Sequence, residues 1–125
     1  MATRDSTSRG TGLALATESM TPLHWAGVVL AVVTGVLHLV LGVSFGLSGF
    51  GISFVVAGLG FLVGAAAVLV DYRRRLVYLL GVPFTLGQIV IWYFVNAPDF
   101  SPLGIFDKVV QVAFVVVLVV LYRRG

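Results

Sequence analysis

The chain has 125 residues, of which 59% are apolar and 10% charged, and its mean hydropathy is +1.09. Soluble domains are roughly half apolar and about one quarter charged, so this composition excludes a water-soluble globule and indicates an integral membrane protein. Lys and Arg number 8 against 5 Asp and Glu, too small an excess for a nucleic-acid face. The lack of cysteine excludes disulfides, thiolate metal sites and iron–sulfur clusters.

Residues 1 to 20, MATRDSTSRGTGLALATESM, are rich in Ser, Thr and Gly, and their apolar content is too short for a signal peptide. A disordered cytoplasmic tail is expected there. Met20 could serve as an alternative start, since nothing before it looks required for folding. From residue 21 onward the chain reads as one four-helix membrane domain, all-α. A helix crossing the ~30 Å hydrocarbon layer needs about 20 mostly apolar residues. The stretches Pro22–Val43, Phe50–Val70, Leu76–Val95 and Pro102–Tyr122 meet that length.

Span one opens on Thr21-Pro22, a capping side chain before a proline at the first helical position, where the missing N–H is harmless. Its small and polar residues His24, Ala31, Gly35, His38 and Gly42 recur at helical spacing and should face the bundle. A Gly/Ser turn at 44 to 49 leads to span two, whose predicted inner stripe is Ser53, Ala57, Gly60, Gly64 and Ala67. Within it GFLVG is a formal GxxxG, which lets backbones approach closely. The charged turn DYRRR at 71 to 75 precedes span three, with the stripe Tyr78, Gly81, Thr85, Gln88 and Trp92, and with Pro83 as a predicted kink. NAPDFS at 96 to 101 leads to span four, again opened by a Ser-Pro pair. Its stripe is Asp107, Gln111, Phe114, Leu118 and Tyr122. The valine run at its end shows no alternation, and an open strand could not satisfy its backbone in lipid.

Arg4, Arg9, Arg73, Arg74, Arg75, Arg123 and Arg124 fall on one side of these spans and only Lys108 on the other. The excess of basic residues faces the cytoplasm in membrane proteins, so both termini are expected there, in a multi-pass protein of the cell membrane. Tyr72, Tyr78, Tyr122 and Trp25 should lie at the inner interface, Trp92 and Tyr93 at the outer one.

Chemistry-bearing side chains are few. At ~1.5 Å of rise per residue, His38, Gln88 and Gln111 all reach a depth of roughly 8–10 Å from the outer ends of their helices. Asp107 stands one turn above Gln111 on the same face. The candidate site is therefore an intramembrane polar cluster of His38, Gln88, Asp107 and Gln111, which either fixes helix register through hydrogen bonds or carries a proton or small polar ligand. Lys108, about 100° round the helix from Asp107, should snorkel to the interface. His24 and His38 lie on one face about 21 Å apart, a spacing that b-type cytochromes use for two haems. No other histidine exists to complete either site within one chain, so haem would need a symmetric dimer. No cofactor and no metal site are expected, and with no triad, metal cluster or nucleotide loop the chain is expected not to be an enzyme. The four-span size is shared with small multidrug-resistance transporters, but their essential first-helix carboxylate has no counterpart between Pro22 and Val43.

DYRRRLVYLLGVPFTLGQIVIWYFVN, followed by DKVVQ and a valine-rich span ending LYRR, resembles small four-helix membrane proteins of halophilic archaea grouped as a family of unknown function. With GVLHLVLG in span one, the resemblance covers roughly residues 22 to 124. It implies an archaeal plasma membrane and a four-span topology, and no activity or catalytic residue. The reading that emerges is an accessory or structural membrane subunit, with a small transporter or channel subunit as the alternative. Its expected partners are the lipid bilayer and either a second copy or another membrane protein, and not nucleic acid.

Overall fold

The computed structural model describes residues 15–46 and 48–124. Four helices follow a single 3-10 turn at Thr17–Ser19: α1 (Pro22–Ser44), α2 (Gly49–Leu69), α3 (Arg74–Asn96) and α4 (Pro102–Arg124). Each is long and apolar enough to cross a membrane, in agreement with the predicted spans. Short connections make neighbours antiparallel.

Both predicted caps are formed. The Thr21 hydroxyl accepts the main-chain N–H of His24, while His24 Nδ1 accepts the main-chain N–H of Thr21 at 3.0 Å, a reciprocal capping box with histidine in the usual Glu/Gln role. Ser101 Oγ accepts the N–H of Gly104 at 3.0 Å. α3 remains helical past Pro83.

The helices pack in the order α2, α1, α4, α3, and α3 meets α2 only along a thin seam. The closest approach is between α1 and α2. A Cβ on Gly58 would stand 2.7 Å from the carbonyl oxygen of Gly35, and one on Gly42 would stand 2.8 Å from that of Gly51. Glycines seven residues apart on two antiparallel helices thus meet in pairs. This corrects the predicted stripe of span two. The buried face is Gly51, Gly58, Phe61, Ala65 and Val68, whereas Ser53 and Gly60 are exposed. The face is rotated by one residue, about 100°. The predicted GxxxG consequently points toward α3, where a Cβ on Gly60 would meet the Phe84 ring at 2.8 Å.

The core continues through Val28, Ala31, Phe114, Leu118 and Leu121. Phe61 sets its ring edge against Phe84 and Phe114, with centroids 5.2 and 5.8 Å away, a favoured aromatic geometry. At the terminal end of the bundle, Arg75 donates to the Tyr122 carbonyl at 3.1 Å and lies 4.1 Å over its ring, tying α3 to α4.

The expectation of a structureless tail over residues 1 to 20 differs at its end. Ala16 N–H donates to Leu69 O at 2.7 Å, and Arg74 donates to Ser19 Oγ at 2.8 Å, Ala16 O at 3.3 Å and Val68 O at 2.8 Å. A guanidinium with several fixed donors can gather such acceptors, and here it staples the 3-10 turn to the α2–α3 connection. The first fourteen residues of that expected tail lie outside the described residues.

Candidate functional site

Polar side chains in a membrane interior must find partners within the protein. α1 and α4 supply them to each other. Thr34, fully buried on α1, donates its hydroxyl to Asp107 Oδ1 at 2.6 Å and accepts from Gln111 Nε2 at 3.2 Å. One turn further along α1, His38 Nδ1 stands 2.8 Å from the Thr34 carbonyl. A carbonyl only accepts, so the imidazole proton is on Nδ1. The Thr34 hydroxyl lies 3.4 Å from the same nitrogen. The ring of His38 stacks on Phe54 at 5.3 Å.

Asp107 and Gln111 are brought together on one face with 4% and 0% exposure, as their i, i+4 spacing on α4 dictates. Two features differ from expectation. Lys108 does not snorkel away: its ammonium donates to Asp107 Oδ2 at 2.9 Å and to Gln111 Oε1 at 2.7 Å, with 12% of its side chain exposed. The flexible stem bends the charge back across the 100° that separates adjacent helical residues, because a carboxylate and an amide in low dielectric attract it more strongly than the remote interface. The Trp92 ring covers it at 5.7 Å. Gln88 faces inward but joins none of the other three, since its amide donates to Phe84 O of its own helix at 3.1 Å and its Oε1 has no partner. The cluster is therefore Thr34, His38, Asp107, Lys108 and Gln111, with Gln88 across a gap.

Thr34 is the residue that sequence reasoning missed. Its signal was its position four residues before His38, on the same face of α1. Threonine in membrane helices commonly turns its hydroxyl back to its own helix, which hides an interhelical role.

The layer is electrically neutral as a unit, pairing one carboxylate with one ammonium. It borders a cavity of about 360 Å³ lined by His38, Gln88, Trp92, Asn96, Asp107 and Lys108 among others. Lys108 and Gln88 stand on opposite helices at the wall of this cavity, the ammonium already engaged by Asp107 and Gln111. Among the described residues no group of three or more His, Asp or Glu side chains stands together.

No curated protein and no solved structure matches the chain. A family model does, over residues 11–122, and the chain belongs to that family, described as a family of unknown function (DUF7475).

Proposed function

We propose that the protein is a non-enzymatic accessory subunit that acts by lateral packing in the bilayer, with a second copy or with another membrane protein. The observation that carries this reading is the closed polar layer. Thr34, Asp107, Lys108 and Gln111 satisfy one another, and beyond them α1, α2 and α4 meet through the buried apolar residues Phe61, Phe114 and Leu118. Such a layer sets the register of α1 against α4, a role for which buried polar groups are well suited. Among the described residues most of the remaining surface is apolar helix flank, with Phe94 78% and Val63 68% exposed. We place both termini in the cytoplasm on the distribution of basic residues, and the membrane as an archaeal plasma membrane on the resemblance of the third and fourth spans.

A second reading, a small transporter or channel subunit, draws on the cavity beside Lys108, whose largely apolar wall also carries His38, Gln88, Asn96 and Asp107. Two measurements separate the readings. Native mass spectrometry of protein extracted in mild detergent should show an assembly or a co-purifying membrane protein. Liposome flux should be the same for wild type and His38→Ala. Solute flux that is lost in His38→Ala, with a monomer in the spectrometer, would replace the first reading by the second.

A further inference from the structure

A second cavity, independent of the polar layer, lies at the end of the bundle that bears Arg75 and Arg124. It has a volume of about 440 Å³, within the roughly 300–1,000 Å³ typical of small-molecule sites. Its walls are almost wholly apolar, with Phe61, Phe84 and Phe114 at the inner end. It reaches the surface at the seam between α2 and α3, where Val63 and Leu80 are exposed. A molecule can thus enter from the hydrocarbon without passing through water.

The polar groups of this cavity are concentrated at one end. Tyr78 is 4% exposed, and its hydroxyl has no hydrogen-bond partner. Buried tyrosine hydroxyls usually find one. Facing it at 6.4 Å between ring centroids is His24. The main-chain N–H of Thr21 donates to His24 Nδ1, which leaves the ring proton on Nε2, so that His24 offers a donor on its other side. Two donors, one hydroxyl and one imidazole N–H, therefore line the same end of an apolar, aromatic chamber. Glycine keeps the chamber open: a Cβ at Gly64 would touch only Val77, at 3.7 Å, leaving room that a longer side chain would fill.

We propose that this cavity binds an apolar molecule dissolved in the bilayer that carries a carbonyl oxygen at one end, with the oxygen accepting from Tyr78 and His24 and the apolar body lying among the phenylalanine rings. A carbonyl oxygen has two lone pairs, so it can accept from the Tyr78 hydroxyl and the His24 N–H together. Prenylated quinones and long-chain esters both present this chemistry.

The test uses the full-length protein in mild detergent. A short-chain prenylquinone is titrated while Trp25 and Trp92 fluorescence is followed, and a long-chain fatty-acid methyl ester is used as competitor. Saturable quenching is expected. Tyr78→Phe keeps the ring and should weaken binding roughly five- to tenfold, the loss of one hydrogen bond. Gly64→Leu should abolish it by filling the chamber. Displacement of the quinone by the ester would assign the site to carbonyl-bearing lipids generally, and its failure would assign it to the quinone ring; either outcome supports the site. Without ligand, Tyr78→Phe should be at least as stable as wild type, because the hydroxyl it removes is unpartnered. The proposal is overturned if neither probe binds saturably, if Tyr78→Phe binds like wild type, or if that variant is less stable when empty.

Discussion

Thr34 and Thr85 are both fully buried, yet the same isosteric substitution should move stability in opposite directions. Thr34→Val removes a donor to Asp107 Oδ1 at 2.6 Å and an acceptor for Gln111 Nε2 at 3.2 Å. A hydrogen bond to a charged group contributes about 1.5–3 kcal/mol and a neutral one about 1 kcal/mol. Interhelical bonds in bilayers average nearer 0.6 kcal/mol, because the separated helices find other partners. A loss of about 2 kcal/mol is expected. The Thr85 hydroxyl makes no hydrogen bond, so Thr85→Val should leave stability unchanged or raise it by up to about 1 kcal/mol, the penalty of an unpaired buried hydroxyl. Unfolding by sodium dodecyl sulfate in mixed micelles, followed by circular dichroism, measures both. Thr34→Ser, which keeps the hydroxyl and removes a methyl group, should cost less than Thr34→Val. In an Asp107→Asn background the cost of Thr34→Val should shrink, since the charge that strengthens the bond is gone. Equal destabilisation by both valine substitutions, or a larger cost for Thr34→Ser, would refute the assignment of the energy to the Thr34 hydroxyl.

Lys108→Met leaves the Asp107 carboxylate without its ammonium and should cost about 3 kcal/mol in the same assay, whereas Gln88→Leu removes an amide bonded only to its own helix and should stay within about 0.5 kcal/mol. Gly58→Ala places a methyl group 2.7 Å from a backbone oxygen of α1 and should cost about 1–3 kcal/mol through forced separation of the helices; Gly87, which has open space around its Cβ position, should accept alanine with no loss. Reporter fusions after Arg75 and at the C-terminus should report the cytoplasm and a fusion after Asp99 the outside; the same side for Asp99 and the C-terminus would refute a four-span topology.

What could be read from the sequence was local. Helix starts at Pro22 and Pro102 follow from a cap and a proline one residue apart, and the shared face of Asp107 and Gln111 follows from one helical turn. What could not be read depended on a second helix. In α2, small residues occupy two adjacent faces, Ala57–Gly60–Gly64 and Gly51–Gly58–Ala65, and only the register of α1 decides between them. Gly35 and Gly42 have the same seven-residue spacing as Gly51 and Gly58, a correspondence that becomes visible when the two helices are laid antiparallel. The direction of Lys108 was hidden for a different reason. Helical geometry fixes where a Cβ points, but a four-carbon stem lets the charge choose its partner, and that choice depends on how deeply Asp107 is buried.

The division of hydrogen bonding among the helices has a consequence for how the bundle is held. Polar side chains of α1 and α4 satisfy each other across their interface, and α1 and α2 are locked by glycine contacts at backbone distance. By contrast Tyr78 Oη, Thr85 Oγ1 and Gln88 Oε1, the buried side-chain polar atoms without partners among the described residues, all belong to α3. α3 is attached along α4, through Arg75 and Tyr122 at one end and Leu118 against Gly81 in the middle, while its edge toward α2 stays thin. Stability is distributed accordingly: α1, α2 and α4 form the interlocked unit, and α3 is the element with the fewest contacts to lose on local opening. Both cavities lie against this helix, one at Tyr78 and the other at Gln88. The inner face of α3 is thus where an added acceptor or donor gains most, because it meets polar atoms already desolvated by the fold rather than groups that must first give up other partners.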